Sequence, residues 1–184
     1  MKKMLLILLV LAFAVPAWAE VIVFNWKTKE SGYDYYNSII YLWKGSYKGY
    51  LVIEESGGVA YATFIEIWTE KWSGGTDKLM DDWDEEYDVV EADIGNNKTI
   101  IILSTGDDEY RVLLTGAVKK DIVSKFTGTE IWDEEYGSGN RDIGIANWTL
   151  SFNKKWTAAV EGMDFNGAYN FVVGELSSQG YVWD

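Results

Sequence analysis

Acidic side chains gather in one short segment whose chemistry would be the binding of a hard metal ion. The segment DDWDEE supplies Asp81, Asp82, Asp84, Glu85 and Glu86. Carboxylate oxygens are ligands that Ca²⁺ prefers, so these five residues are candidate calcium ligands and Ca²⁺ is a candidate cofactor. The D-x-[DN]-x-[DN]-G spacing of a calcium loop is absent from the sequence, however. A solvated acidic rim, which keeps strand edges from aggregating, is therefore favoured over a metal site.

The pentapeptide WDEEY occurs twice, at residues 83–87 and 132–136. The sequences that flank the two copies do not match. A second short repeat, the tripeptide Glu-Ile-Trp, occurs at residues 66–68 and 130–132, and the spacing between its copies is different. A true repeat would keep one period across many positions, so coincidence in a chain rich in acids and aromatics is favoured over duplication.

The amino-acid composition excludes several classes of enzyme. The chain has no histidine and no cysteine, so Ser-His-Asp and Cys-His sites and the usual zinc sites cannot be built. Neither GxxxxGK[ST] nor GxGxxG occurs, which leaves nucleotide binding without support. We therefore predict a protein that is not an enzyme. The alternative is a carbohydrate-active enzyme that uses two carboxyl groups roughly 5 to 9.5 Å apart.

Apolar and polar residues alternate with period two along most of the chain, which is typical of half-buried strands. Short turns rich in Gly, Asn and Asp separate these runs. The predicted fold is an all-β, single-domain antiparallel meander of about nine or ten strands that closes into a barrel or a sandwich. A short helix over Thr76–Glu86 is an alternative for one segment. The predicted strands are residues 21–28, 33–43, 47–55, 59–70, 84–92, 98–105, 109–118, 123–132, 143–153 and 165–175.

The first nineteen residues have the pattern of a signal peptide that would form a helix and be cleaved. Lys2 and Lys3 precede an uncharged apolar run, and Ala17 and Ala19 form the small-x-small site that a signal peptidase reads. We expect residues 1–19 to be removed and residues 20–184 to form the β-rich domain. This predicts export to the periplasm or the cell exterior. No other apolar stretch approaches the roughly 20 residues of a membrane helix, so no helical membrane anchor is expected.

Charge and aromatic content narrow the function. The net charge is −13, which argues against nucleic acid as a partner. Ten Trp and twelve Tyr suit either a carbohydrate ligand or, in a barrel lumen, a small apolar ligand. The sequence thus predicts an exported non-enzymatic β-domain with a binding or structural role. The alternative is a small outer-membrane β-barrel.

Overall fold

A computed structural model describes residues 20–56, 59–82, 88–94, 99–104, 111–119, 122–137 and 139–184. Its elements are β1 (Glu20–Tyr36), β2 (Ile39–Ser56), β3 (Val59–Trp72), β4 (Gly75–Asp82), β5 (Asp88–Ile94), β6 (Thr99–Ser104), β7 (Arg111–Lys119), β8 (Ile122–Tyr136), β9 (Asn140–Phe152), α1 (Lys154–Ala159), α2 (Phe165–Ser178) and β10 (Val182–Trp183). The predicted signal peptide lies outside the described residues. No helix in the described part of the chain is long and apolar enough to cross a membrane.

The strands form one sheet in the order β10-β4-β3-β2-β1-β9-β8-β7-β6-β5. Every neighbouring pair is antiparallel except β10 with β4. The predicted all-β antiparallel meander is therefore confirmed. The sheet is not closed into a barrel, and that alternative is wrong. The sheet curls, so that β5 lies near β3. A closed barrel would need β5 to pair with the outer edge of β3, but β4 already pairs with Ile65–Trp72 along that edge.

The inner face of the curled sheet carries the larger core. Alternation along β1 sends Phe24 and Trp26 to this face, where their rings meet Phe126, Phe64 and Trp148 at centroid distances of 5.5 to 6.1 Å. Because successive side chains of a strand point to opposite faces, each strand contributes every second residue. The buried inner-face residues are Ile22, Phe24, Trp26, Leu51, Ile53, Phe64, Ile101, Val112, Leu114, Phe126, Ala146, Trp148 and Leu150.

The outer face carries a second core, which the two helices cover. Ala168, Val172 and Leu176 recur every four residues and form the buried stripe of α2. Asp164 caps this helix by accepting a hydrogen bond from the Gly167 N–H at 2.8 Å. The buried outer-face residues are Val21, Val23, Val52, Ile65, Ile67, Met80, Trp156, Val160, Ala168, Val172 and Leu176.

The structure corrects the prediction of a strand at residues 165–175, which are helical in α2. The alternating set used for that prediction contains Phe165, Tyr169 and Val173, which are also spaced by four. A period of two and a period near four cannot be distinguished from this set alone. The Asp164 cap and the buried stripe of Ala168, Val172 and Leu176 are the features that fit a helix.

Two further sequence predictions are wrong. Residues 33–43 are not one strand, because Asn37 and Ser38 adopt positive φ values of 50° and 65° and turn the chain between β1 and β2. Two consecutive left-handed residues suit a two-residue hairpin. Residues 75–82 form β4 and not a loop or the start of a helix, because they pair with β3. The remainder of that helix prediction, residues 83–86, lies outside the described residues.

Candidate binding site

Two of the predicted metal ligands, Asp81 and Asp82, are among the described residues, and both accept hydrogen bonds from groups within the protein. Asp82 ends β4, and its Oδ2 accepts a hydrogen bond from the Tyr169 hydroxyl at 2.6 Å, which links β4 to α2. The neighbouring Asp81 accepts the Asp82 backbone N–H at 3.0 Å. The part of the chain that is described contains no group of three or more acidic residues placed to hold a metal. The remaining candidate ligands, Asp84, Glu85 and Glu86, lie outside the described residues, so calcium binding there stays a prediction. The predicted cleavage-site residues Ala17 and Ala19 also lie outside them.

The second WDEEY copy belongs to a four-stranded extension of the sheet, here called the ribbon. Strand β3 pairs with β2 only from Gly49 onward, and β7 pairs with β8 only as far as Thr127. Four strands continue beyond these points in the order β2-β1-β9-β8. The ribbon comprises residues 39–48 of β2, 27–36 of β1, 140–149 of β9 and 128–136 of β8.

Two tryptophan rings lie on the inner face of the ribbon above a pair of glycines. The cross-strand row is Trp43, Gly32, Gly144 and Trp132. A Cβ added at Gly32 would lie 2.6 Å from Cζ2 of Trp43, and one at Gly144 would lie 2.1 Å from Cζ2 of Trp132. The two indoles are nearly parallel, at 19°, with centroids 5.6 Å apart. The glycines therefore provide the space in which the rings cover the strands and stack.

Two aspartates form the next row, directly opposite each other. Asp34 of β1 is the cross-strand partner of Asp142 of β9. Trp132 Nε1–H donates to Asp142 Oδ2 at 2.9 Å, and Trp43 makes the corresponding hydrogen bond with the Asp34 carboxyl group. Each hairpin, β1–β2 and β8–β9, thus supplies one Trp, one Gly and one Asp. The site exists only because β1 pairs with β9.

The Asp34 carboxyl group has a raised pKa. Partial burial raises the pKa of Asp34, and the charge of Asp142 and the hydrogen bond between the two carboxyl groups raise it further. Asp142 Oδ1 is buried and receives no hydrogen bond from a conventional donor among the described residues. When Asp34 is protonated, its O–H can donate a hydrogen bond to this atom. Burial, followed by the charges of Asp34 and Asp142, also raises the pKa of the Tyr136 phenol.

The proton that Asp34 binds makes stability depend on pH. A pKa above the usual 3.8 means that the folded protein binds this proton more tightly than the unfolded chain does. Stability therefore falls as pH rises from 3.8 through the raised pKa of Asp34. Asp34→Asn keeps an oxygen for Trp43 and gives Asp142 a permanent N–H donor. We expect a higher melting temperature than wild type near pH 7 and a gain that shrinks as pH drops below 3.8. Thermal melts across this pH range test this, and a pH-independent difference would contradict the raised pKa of Asp34.

The polar surface of the inner face continues from the site to the core. Glu130 lies between the Trp43–Trp132 row and the aromatic core and is only 8 % exposed. Its Oε2 accepts a hydrogen bond from Trp148 Nε1 at 3.0 Å. Trp148 in turn packs against Trp26 and Phe64. The core thus holds Glu130 and Trp148 in fixed positions next to the site. Preorganised groups of this kind favour binding.

A shallow depression on the other face of the same strands is a weaker candidate. It has a volume of about 380 Å³ and is lined by Thr127, Gly128, Thr129, Asn147, Trp148 and Thr149. Polar groups in its wall already hydrogen-bond to each other, because the Thr129 hydroxyl donates to Asn147 Oδ1 at 3.3 Å. No aromatic ring faces it through alternation, because Trp148 points to the inner face.

Sequence reasoning did not find this site. Trp132 was noticed as part of WDEEY, but Trp43, Asp34 and Asp142 were not singled out. The available signal was glycine inside a strand, which marks close approach of another group. It occurs as Gly-Tyr-Asp at residues 32–34 and in mirrored order as Asp-Ile-Gly at residues 142–144. Antiparallel pairing of these two tripeptides creates the rows.

Comparison with known proteins identifies no family. No protein-family profile matches the sequence, and no curated protein matches it. A crystal structure of the YwiB protein from Bacillus subtilis is 10 % identical, and the match covers 77 % of this chain and 99 % of that chain with a TM-score of 0.28. That TM-score is too low to support a shared fold or function.

Proposed function

We propose that the protein is an exported, non-enzymatic β-domain that binds a carbohydrate on the inner face of the ribbon. The observation that carries this proposal is the row of Trp43 and Trp132 beside the Asp34–Asp142 pair. Aromatic rings offer flat apolar surfaces on which the C–H face of a sugar ring can stack. Carboxyl groups next to the rings accept hydrogen bonds from sugar hydroxyls.

The accessibility of the rings supports a ligand-binding role. Trp43 and Trp132 are partly exposed, whereas the core tryptophans Trp26 and Trp148 are each 2 % exposed. Tyr136, at 44 % exposure, and Tyr36, at 50 %, border the aspartate pair at the ribbon tip. A partly exposed aromatic group with fixed hydrogen-bond partners loses little entropy when a ligand binds. Export through the predicted signal peptide would bring this surface into contact with extracellular glycans.

A carboxylate-based glycosidase fits the same residues less well. The carboxyl groups of Asp34 and Asp142 are in hydrogen-bond contact with each other. Retaining enzymes require roughly 5 to 5.5 Å between the two carboxyl groups, and inverting enzymes require more, so that a sugar or a water fits between them. The closeness of the pair favours binding over hydrolysis.

Affinity electrophoresis tests the proposal with soluble polysaccharides as probes. Wild-type protein is run through gels that contain dextran, laminarin, xylan or soluble chitosan oligomers. We expect retardation by at least one of these probes, and we expect Trp43→Ala and Trp132→Ala each to weaken it about tenfold. Trp72→Ala is the matched control, because Trp72 is 58 % exposed and lies at the β3–β4 turn, outside the four strand segments of the ribbon.

The controls separate specific binding from other effects. Unchanged retardation of Trp72→Ala together with reduced retardation of both ribbon variants supports the site. Retardation of wild type by none of the probes would contradict carbohydrate binding. Equal loss in all three tryptophan variants would contradict the location of the site, since it would show that any exposed indole interacts with the gel.

A further inference from the structure

The ribbon has two long outer edges that carry backbone hydrogen-bonding groups. In the described part of the chain, no strand pairs with the outer edge of β2 over Ile39–Ser46. None pairs with the outer edge of β8 over Ile131–Tyr136. Such edges are templates for pairing with another strand, and most proteins shorten or cover them. Both edges here run to the tip of the ribbon.

The two edges carry opposite charge. Strand β2 contributes Lys44 and Lys48 and no acidic residue over Ile39–Lys48. Strand β8 contributes Asp133, Glu134 and Glu135 over Ile131–Tyr136 and no basic residue. Arg141 of β9 pairs with Asp133 at 2.7 Å, which leaves the β8 edge with a net negative charge. Opposite charges at facing positions on neighbouring strands stabilise pairing, and like charges oppose it.

Exposed apolar side chains lie along both edges, on the same face of the ribbon. Leu42 is 84 % exposed and Ile40 is 60 % exposed on β2, and Ile131 is 72 % exposed on β8. By alternation all three point to the outer face, which α1 and α2 cover only at the far end of these strands. Joining the β2 edge to a β8 edge would bring these side chains together and remove apolar surface from water.

We propose that the β2 edge of one copy of this chain pairs with the β8 edge of a second copy, so that the sheet continues from molecule to molecule. Strand directions support this arrangement. The order β2-β1-β9-β8 is antiparallel at every step, so a copy related by translation presents β2 antiparallel to β8 and keeps the inner faces on one side. Each copy adds four strands, or about 19 Å along the assembly. This contact is head-to-tail and does not close by itself, so it produces a growing chain of molecules.

The charges also exclude the two symmetric alternatives. A β2–β2 contact would place lysines against lysines, and a β8–β8 contact would place Glu134 and Glu135 against the same residues of the second copy. The proposed contact joins edges of opposite net charge and keeps the exposed side chains of Leu42 and Ile131 on one face. It goes beyond carbohydrate binding and does not depend on it, because pairing uses backbone groups of the edge strands, whereas the sugar would stack on the inner-face rings of Trp43 and Trp132.

Sedimentation velocity of purified protein over increasing concentration tests the proposal. We expect wild type to form species that grow with concentration. One variant, Lys44→Glu with Lys48→Glu, makes both edges acidic, and a second variant, Glu134→Lys with Glu135→Lys, makes both edges basic. Each variant alone should sediment as a monomer at every concentration. An equimolar mixture of the two should assemble again, because each variant offers the other an edge of opposite charge.

Restoration on mixing is the decisive result, since a variant that fails to fold cannot be rescued by a second defective variant. The matched control is Lys154→Glu with Lys155→Glu, which changes the net charge equally on exposed positions of α1 and should assemble like wild type. Monomeric wild type at all concentrations would overturn the proposal. Mixed variants that stay monomeric, or single variants that assemble like wild type, would overturn it as well.

Discussion

Replacing Val172 by aspartate is expected to lower the free energy of unfolding by about 4 kcal/mol or more, because it places a carboxylate in the outer core. Val172 is fully buried between α2 and the strands, together with Ala168 and Leu176. The substitution removes apolar contacts and leaves a buried charge without a partner. That loss is a large part of the 5 to 15 kcal/mol that stabilises a typical domain. Urea denaturation followed by circular dichroism measures it.

The matched control is Asn170→Asp, two residues away on the same helix. Asn170 is exposed, so we expect a change within about 0.5 kcal/mol. A strand at residues 165–175 would place residues 170 and 172 on the same face, with Phe171 and Val173 on the other, because alternation has period two. Similar effects of the two substitutions would therefore contradict the helix. A large difference between them is the result that a helix predicts.

The sequence was sufficient for the sheet because its signals are local. Ala146, Trp148 and Leu150 alternate with polar residues along β9, and all three are buried on the inner face. Between β8 and β9, Gly137 and Gly139 have positive φ values of 33° and 76°, as expected for one of the short Gly-rich turns. A half-buried strand and a tight hairpin each depend on a few consecutive residues, so a reading of consecutive residues recovers them.

The second layer could not be read in the same way. Both faces of the sheet are buried at the start of β1. Val21 and Val23 pack against the helical layer, whereas Ile22 and Phe24 belong to the inner core. A strand that is covered on both faces loses alternation and gives no indication of what covers it. The helix α2 is marked mainly by its Asp164 cap and by a four-residue spacing that its aromatic residues obscure.

The candidate site was hidden for a different reason. Its two halves are separated by about a hundred residues of sequence, and nothing in either half specifies that β1 will pair with β9. The order of strands is a property of the whole sheet and depends on how the hairpins pack. Asp34 and Asp142 are ordinary surface acids until this pairing brings them together. The site forms only if β1 pairs with β9, so both functional proposals depend on this order of strands.

The most direct test of this account is a disulfide between the two halves of the site. The chain has no native cysteine, so Asp34→Cys with Asp142→Cys creates one defined pair. Directly opposed residues in antiparallel strands have Cα atoms about 4.5 to 5.5 Å apart, within the range that a disulfide bridges. The chain-entropy model gives a stabilisation of about 4.7 kcal/mol for a loop of roughly 100 residues, less any strain in the native state.

The measurement is the free-thiol content after mild oxidation, compared with Asp34→Cys combined with Ile143→Cys. The second pair is one residue out of register, and its side chains point to opposite faces of the ribbon. We predict rapid and complete loss of free thiol in the first variant, a higher urea midpoint than its reduced form, and persistent thiols in the second. Persistent thiols in the first variant with closure in the second would show that β1 and β9 are not paired in this register, and the binding site described above would not exist.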